Sequence, residues 1–472
     1  MTKTSPVIIW LRRDLRLADN PALQAGVESG KPLILLYIDE ANKGRAMGAA
    51  SKVWLHHSLT SLSTAIAKKG GQLILRRGDA ADILNEIIAD TGADEIHWNR
   101  RYEGWARDMD QALKSNLKLR GLKVESHKAN LLIEPWEVAT KTGGFYKVFT
   151  PFWRAVRANF TVDPDLPAPI KLNCVEGLKS DKARDWNLLP TCPNWGTKIM
   201  SYHEAGEAPA MRRLKSFLVG PVGQYDAQRD RPDDETGTSK LSPHLAFGEI
   251  SPRQIWNAAY GIGGDSDKFL SEIGWREFSY TLLFYNPHLA RQNYKAEFDK
   301  FPWDSDPAKV EAWRRGQTGY PFVDAGMREL WQTGWQHNRV RMVCASFLIK
   351  HLLTDWRVGE DWYWDTLLEA DPASNAASWQ WVAGSGADAS PYFRIFNPFT
   401  QGEKFDPNGD YVRKYVPELA KLPKKYIHQP WAAPKEVLDQ SGVELGKTYP
   451  KPLVDHKTAR ERALAGYKIS RG

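Results

Sequence analysis

Along the first 130 residues, short apolar runs alternate with longer segments whose apolar residues recur every three or four positions. The runs VIIWL, PLILLYI, QLILRRG and DEIHWN are rich in Ile and Leu, which is typical of short buried strands. Residues 51–70 and 81–92 have helical spacing and end in glycine. This alternation predicts an α/β N-terminal domain, residues 1–130, built on a parallel Rossmann-like sheet. The glycines spell neither a GxGxxG loop nor a Walker loop.

The pattern changes after this first domain. Residues 131–205 are rich in proline and poorly periodic, and they predict a long interdomain linker. From residue 206 helical spacing dominates, so residues 206–472 are predicted to form an all-α C-terminal domain.

Composition narrows the class of protein. Apolar residues make up 42% and charged residues 26% of the 472, as in soluble globular proteins. No apolar run approaches the ~20 residues of a membrane span, and charge appears too early for a signal peptide. Three scattered cysteines indicate a reducing compartment and no metal site. The net charge of +7 fits a nucleic-acid partner, but a basic soluble enzyme explains it equally well.

Tryptophan is the anomaly of this composition. The chain has 20 tryptophans, and the stretch from Trp335 to Trp381 combines several of them with acids and an Asn-Arg-x-Arg cluster. Large aromatic side chains usually fill cores. A surplus of this size, next to paired charges, favours a site that stacks a planar ligand near a polyanion.

The segment Thr238–Ser242 is a candidate phosphate site. It supplies three hydroxyls and a lysine before a predicted helix start, where free backbone N–H groups suit a phosphate. A plain N-cap explains the same residues. Further on, Glu272 and Arg276 share one helix face, either as an exposed ion pair or with the carboxylate facing a cavity.

Two further clusters are placed by helical geometry. Asn338 and Met342 share a face, with Trp335 one turn earlier. If residues 375–381 are helical, Trp379 lies on the face of Asn375, and Trp381, two residues further on, is rotated by roughly 200°. One of these two tryptophans can then face a ligand, while the other lies on the opposite side of the helix and contacts a different part of the protein. Two core tryptophans explain the spacing equally well.

Six motifs lie along nearly the whole chain. They are IIWLRRDLRLADNPAL (8–23), TSKLSPHLAFGEISPR (238–253), EIGWREF (272–278), TGYPFVDAGMREL (318–330), GWQHNRVRM (334–342) and WQWVAGSGADASPYFRIFNPFTQGEKFDP (379–407). Together they resemble the photolyase–cryptochrome family of flavoproteins, and within it the bacterial cyclobutane pyrimidine dimer DNA photolyases.

The resemblance implies that the helical domain binds FAD in a bent form. The implied ligands are Tyr225, Thr238, Ser239, Lys240, Leu241, Ser242, Asn338, Arg341, Glu369, Asp371 and Asn375. The Asn375 amide is expected at the flavin N5, where its oxygen accepts a hydrogen bond. Plant cryptochromes carry an acid there, so asparagine favours repair over signalling. Glu369 is a departure, because many members have aspartate at that place.

The resemblance also implies a DNA-lesion pocket and an electron-supply chain. The lesion-binding residues are expected to be Arg229, Glu272, Trp275, Arg339, Met342 and Trp381, with Glu272, Asn338 and Asn375 as the catalytic set. The two tryptophans would stack on a flipped-out dimer, and the two arginines would neutralise flanking phosphates. Trp379, Trp356 and Trp303 match the tryptophans that re-reduce the flavin under light.

The implied activity is light-driven repair of cyclobutane dimers in UV-damaged DNA, by a monomer in the cytoplasm. A cryptochrome-like photoreceptor that signals without repair is the alternative. Trp105 and Ala106 replace the Asn-Glu pair that some members use to bind a folate antenna, so the sequence is consistent with a folate bound differently, a deazaflavin or no antenna chromophore. Residues 55–59, LHHSL, and Trp54 resemble members that carry folate. We therefore expect 5,10-methenyltetrahydrofolate rather than a deazaflavin.

Overall fold

The computed structural model of the chain describes residues 4–40, 43–389 and 393–471. Residues 390–392 of the motif 379–407 lie outside this described part. The chain divides into two compact units. The first contains residues 1–223, 239–287 and 368–371, and the second contains residues 224–238, 288–367 and 372–472. The first unit thus draws residues from all three predicted domains, whose boundaries stay a prediction.

A five-stranded parallel sheet organises the first unit. Its strands are β1 (Val7–Leu11), β2 (Leu33–Asp39), β3 (Leu73–Arg77), β4 (Glu95–Asn99) and β5 (Lys123–His127). They lie in the order β3-β2-β1-β4-β5, and every pair in the sheet is parallel. The predicted Rossmann-like α/β sheet is therefore confirmed. The strand β5 was not predicted, because its sequence KVESH has a single buried apolar residue.

Alternate residues of the strands build two hydrophobic cores, one on each face of the sheet. Val7 and Ile9 belong to one core, together with Trp54. Ile8 and Trp10 belong to the other core. Since successive side chains of a strand point to opposite faces, helices are needed on both sides to cover such a sheet.

The helices follow in chain order. They are α1 (Pro21–Glu28), α2 (Ala49–Ala67), α3 (Ala80–Thr91), α4 (Gly104–Leu119), α5 (Phe149–Asn159), α6 (Trp195–Met200), α7 (Glu207–Val219), α8 (Tyr225–Gln228), α9 (Ser242–Ala246) and α10 (Pro252–Ala259). The rest are α11 (Ser266–Tyr285), α12 (Pro307–Arg314), α13 (Pro321–Thr333), α14 (Asn338–Ser346), α15 (Trp356–Thr366), α16 (Ser374–Ala383), α17 (Pro398–Phe405), α18 (Asp410–Tyr415), α19 (Lys435–Ser441) and α20 (His456–Arg471).

The second unit is helical, as predicted for the C-terminal part of the chain. The helix α14 continues into a π-helix, Phe347–His351, and α15 packs against α16. Within the described ranges, no helix has the length and apolar character to cross a membrane.

Candidate flavin and lesion site

The predicted site residues divide between the two units. The first unit carries Ser239, Lys240, Leu241, Ser242, Glu272, Trp275, Glu369 and Asp371. The second unit carries Tyr225, Arg229, Thr238, Trp303, Asn338, Arg339, Arg341, Met342, Trp356, Asn375, Trp379 and Trp381.

In the first unit, the acids of the LLEAD segment are bonded to hydroxyl groups. The Ser242 hydroxyl donates to Glu369 Oε1 at 3.2 Å. The Tyr280 hydroxyl donates to Asp371 Oδ2 at 2.7 Å. Both carboxylates are buried. In each of them the hydrogen bond engages one oxygen and so fixes the orientation of the carboxylate group. Tyr280 is a positioning residue that the sequence did not reveal, because Asp371 lies 91 residues away from it.

The predicted helix start at Ser242 is confirmed, but the alternative of a plain N-cap is not. The helix α9 begins at Ser242, so the preceding Leu241 holds the cap position and no side chain caps the helix. Lys240 has a φ of 49°, in the left-handed region, where a β-carbon is unfavourable. The Ser242 hydroxyl donates to Glu369 Oε1, which lies 127 residues away in the chain. The plain-cap interpretation of this segment therefore loses its basis.

In the second unit, the Asn375 amide has a defined orientation. Asn375 lies near the start of α16 and is buried. Its Nδ2 donates to the backbone carbonyl of Glu360 at 3.1 Å and to Glu360 Oε1 at 2.8 Å. Since both partners only accept hydrogen bonds, the NH₂ end must face Glu360. The Asn375 Oδ1 is then the end that can accept a hydrogen bond from a ligand.

An unpaired hydroxyl also belongs to the second unit. The Oγ1 of Thr238 is buried and has no hydrogen-bond partner. Such an atom costs roughly 1–3 kcal/mol unless a ligand or water completes it. A ligand with phosphate or hydroxyl oxygens would do so. Together with the oriented Asn375 oxygen, this atom shows that the residues present fit FAD.

The remaining flavin candidates of the second unit have defined surroundings. Tyr225 is buried, and the Arg229 guanidinium lies 5.4 Å from the centre of its ring. The Arg341 Nε donates to the Gln336 carbonyl at 2.6 Å. These contacts fix where the phenol ring and the second guanidinium lie within this unit.

The shared face of Asn338 and Met342 is confirmed, but the place of Trp335 is not. The helix α14 begins at Asn338, and His337 caps it by accepting a hydrogen bond from the Arg339 amide. Trp335 therefore lies before the helix and cannot extend the face of the other two by one turn. The imidazole cap starts the helix at Asn338, later than the spacing from Trp335 predicts.

One face of Trp275 is covered by another aromatic ring. Phe149, at the start of α5, stacks on Trp275 with ring centres 3.8 Å apart and an angle of 10° between the planes. The Trp153 ring also stacks with Phe149, with ring centres 6.2 Å apart. A β-carbon at Gly274 would lie 2.5 Å from Trp153, so this glycine allows the close packing. The face of Trp275 that Phe149 covers is therefore closed to a base.

The predicted Arg276 pairing on α11 is not the bond that the structure shows. The Arg276 guanidinium donates to the Asn130 carbonyl at 2.7 Å and lies 3.4 Å from Glu277. Glu272 is half-buried on the same helix. The i,i+4 spacing predicts that Arg276 pairs with Glu272, but the guanidinium instead donates to the backbone carbonyl of Asn130.

The two candidate phosphate-binding arginines share one carboxylate. Arg339 donates to Asp230 Oδ2 at 2.5 Å, and the Arg229 Nε lies 4.0 Å from Oδ1 of the same residue. Arg339 also lies over the ring of Phe405, 4.4 Å from its centre. Asp230 holds both guanidinium groups in place before any DNA binds, and it was not among the predicted residues.

The helix required by the tryptophan prediction is present. Trp379 and Trp381 both lie on α16; the first is 3% exposed, and the second is partly exposed with its indole N–H on the Asp388 carbonyl at 3.1 Å. The Trp379 ring packs edge-on against Tyr363 and Trp313. The two indoles therefore have different surroundings, as the helical offset predicts.

The other two tryptophans of the electron-supply chain also lie in the second unit. Trp356 is fully buried at the start of α15 and donates its indole N–H to Asn293 Oδ1 at 2.8 Å. One turn along α15, a β-carbon at Gly359 would lie 2.1 Å from the Trp379 ring, so the glycine lets that ring pack against the helix. Trp303 is half-buried and contacts Phe301.

A cavity of about 260 Å³ opens in the first unit beside β4 and α4. Its walls include Trp98, Arg100, Arg101, Tyr102, Arg107, Asp110, Gln111, Lys114, Ser115, Ser126, Trp136 and Phe284. The indole N–H of Trp98 and the Nε of Arg101 and of Arg107 are buried without a hydrogen-bond acceptor. Aromatic walls with unpaired cationic donors suit a planar, anionic ligand.

The segment that suggested folate does not line this cavity. Trp54 is 1% exposed, and its indole N–H donates to Glu249 Oε1 at 3.2 Å. Trp105 lies on α4, and a β-carbon at Gly44 would lie 2.4 Å from its ring. Trp54 is thus a core residue with a satisfied N–H.

The chain is similar to known photolyases and cryptochromes. Residues 7–170 match the family described as DNA photolyase, and residues 269–469 match the FAD binding domain of DNA photolyase. A deoxyribodipyrimidine photo-lyase of Agrobacterium fabrum is 54% identical, over 98% of each chain. Cryptochrome-1 of Arabidopsis thaliana is 38% identical, over 96% of this chain and 69% of the relative.

A solved structure agrees with these relatives. The crystal structure of a bacterial class III photolyase from Agrobacterium tumefaciens is 53% identical in sequence and has a TM-score of 0.97. The similarity covers 100% of this chain and 98% of that one.

Proposed function

Since the chain belongs to the DNA photolyase family, we propose that it repairs cyclobutane pyrimidine dimers in UV-damaged DNA under blue light. The observation that carries this proposal is the orientation of Asn375, whose NH₂ end is held by Glu360. An amide oxygen turned away from Glu360 accepts a hydrogen bond but cannot give up a proton. Such a group stabilises a protonated N5 on a reduced flavin.

FAD, when bound and reduced, supplies the photoexcited electron that splits the dimer. The side chains of the protein would position the cofactor and the pyrimidine dimer. Thr238 and Ser242 are proposed to bind the cofactor phosphates, and Asn375 to hold its N5 edge. Trp275 and Trp381 are proposed to stack on the flipped-out dimer, with Glu272 bonding a thymine carbonyl or ring N–H. Arg229 and Arg339, held by Asp230, are proposed to contact the phosphates beside the lesion.

We also propose a second chromophore in the cavity beside β4 and α4. Its arginines and Lys114 suit an anionic group, and Trp98 and Trp136 suit a planar ring. These features support 5,10-methenyltetrahydrofolate, whose carboxylates would meet the cationic side chains, over a deazaflavin. Monomeric action and a cytoplasmic location remain predictions from the sequence.

The test is a repair assay on an oligonucleotide with one thymine dimer. Purified, FAD-loaded and chemically reduced protein should remove the dimer under blue light and not in the dark, as measured by chromatography. Trp381→Ala should weaken dimer binding by about 5- to 150-fold, since stacking on one base contributes about 1–3 kcal/mol. Trp331→Ala is the matched control, because Trp331 is 63% exposed in the same unit and lies outside the predicted pocket.

A photoreceptor without repair is the second candidate, favoured by the similarity to plant cryptochromes. It requires FAD to bind while dimers survive saturating light. That result would overturn the repair proposal.

A further inference from the structure

Two Glu-x-His pairs lie side by side in the sheet of the first unit. Glu95 and His97 belong to β4, and Glu125 and His127 belong to β5. In the register of these parallel strands, His97 is paired with Glu125 and Asn99 with His127. Because side chains alternate between faces, both pairs point to the same side of the sheet.

The donor atoms of this cluster converge. His97 Nδ1 lies 2.9 Å from His127 Nε2. One ligand atom from each of His97, Glu125 and His127 lies within 4.8 Å of the other two. In a tetrahedral zinc site, with bonds of about 2.0–2.1 Å, neighbouring ligand atoms are about 3.3 Å apart. The two imidazole nitrogens would need to separate by only about 0.4 Å to reach that spacing.

The proton of His97 is on the correct nitrogen for a metal ligand. His97 Nε2 lies 2.9 Å from Glu95 Oε1, and a carboxylate can only accept there, so Nε2 carries the proton. Nδ1 therefore presents its lone pair to His127. A carboxylate behind a ligating imidazole is the usual support of zinc-binding histidines.

We propose that His97, Glu125 and His127 bind one divalent transition-metal ion, with Zn²⁺ the best match. Two imidazoles and a carboxylate favour this class of ion over Mg²⁺ or Ca²⁺, which prefer oxygen ligands. On binding, His127 moves its proton from Nε2 to Nδ1, and both nitrogens that faced each other turn to the metal. A water molecule completes the tetrahedron.

The lysines around the cluster pair mainly with Glu95, so the Glu125 carboxylate can serve as a metal ligand. Lys31 and Lys123 lie 3.1 Å and 2.7 Å from the Glu95 carboxylate, so they balance the charge of the supporting acid. Lys123 is 3.6 Å from Glu125, and its side chain is 59% exposed. It can therefore swing into water when the ion takes its place. The ion would join β5, at the edge of the sheet, to β4.

Calorimetry with Zn²⁺ on the FAD-loaded protein, freed of metal by a chelator, tests this site. We expect one ion per chain, and at least tenfold weaker binding in His127→Ala and in Glu125→Gln. His56→Ala is the control, because it removes a histidine from α2 of the same unit without touching the cluster. X-ray absorption at the zinc edge should show two imidazole nitrogens in the wild type.

The structural consequence gives an independent measurement. Saturating Zn²⁺ should raise the melting temperature of the wild type and of His56→Ala, since a ligand that binds only the folded state stabilises it. The rise should be smaller in His127→Ala and in Glu125→Gln at the same zinc concentration, because both variants bind the ion more weakly. Equal zinc binding by the wild type and both of these variants, or no binding by any of them, would overturn the proposal. Neither result bears on dimer repair.

Discussion

In this protein, individual supporting side chains determine how a neighbouring functional side chain is oriented and which of its surfaces can meet a ligand. Glu360 turns the Asn375 amide, and Phe149 covers one face of Trp275. Each of these supporting residues lies on a different helix from the residue that it positions. The helix faces were predictable from spacing, whereas the supporting contacts depend on which helices pack together.

Replacing Trp379 by Phe should separate electron supply from repair. Phe keeps an aromatic ring in the buried place beside Tyr363 and Trp313 but lacks the more easily oxidised indole. We expect light to reduce the bound flavin at least tenfold more slowly, measured by absorbance, while protein reduced beforehand repairs at the wild-type rate.

Trp313→Phe is the control for that substitution. Trp313 is also fully buried and contacts Trp379, but its indole N–H donates to the Cys344 carbonyl at 3.1 Å and it is outside the predicted chain. If both variants slowed photoreduction equally, or if pre-reduced Trp379→Phe failed to repair, the predicted division between electron supply and repair would be wrong.

At the level of elements, α11 holds a neighbouring backbone segment by two adjacent side chains. Arg276 donates to the Asn130 carbonyl, and Glu277 Oε2 accepts from the amides of Leu132 and Ile133 at 2.9 Å and 3.2 Å. Burial raises the pKa of Glu277 from 4.5 to about 7, and Arg276 and the two amides oppose that rise.

This raised pKa predicts a stability that depends on pH. Between about pH 4.5 and 7 the folded state holds a proton that the unfolded state has lost, so the free energy of unfolding falls as the pH rises. The total fall from this group is at most about 3 kcal/mol. Glu277→Gln keeps an oxygen for the two amides and cannot ionise. Its melting temperature, measured by circular dichroism from pH 5 to 8, should fall less than that of the wild type.

Asp267→Asn on the same helix is the matched charge control. Its carboxylate is 65% exposed beside Arg157, so its removal should leave the pH profile unchanged. A profile of Glu277→Gln that parallels the wild type would show that Glu277 does not titrate in this range.

For the whole molecule, the proposed antenna predicts a second absorbing group independent of FAD. Ser115 lies on α4 and lines the cavity, so Ser115→Trp should fill it and lower the folate content at least tenfold, measured by absorbance after incubation with the folate. Asn116→Trp, one residue further and outside the cavity lining, should bind folate normally. Equal folate content in both variants would place the antenna elsewhere.

The sheet was predictable from the sequence, but its edge was not. The strands β1, β2 and β3 contain uninterrupted apolar runs, and β4 alternates Ile96 and Trp98 with polar residues, so both patterns indicate strands directly. The strand β5 reads KVESH, and only its position in the sheet shows that Glu125 and His127 lie beside His97. Spacing within one segment reveals helix faces, whereas groups joined across strands or helices appear only after folding.

Residues 368–371 belong to the first unit, and this limits where the protein can be split into separately expressed fragments. Three residues of this segment accept hydrogen bonds from hydroxyl groups of the first unit: Leu368 from Ser51 at 3.1 Å, Glu369 from Ser242, and Asp371 from Tyr280. The residues on either side of the segment belong to the second unit. A fragment that ends at residue 287 would leave these three hydroxyls without those acceptors. Split versions of the protein, and chimeras that exchange its two halves, should therefore keep this tetrapeptide with the first half.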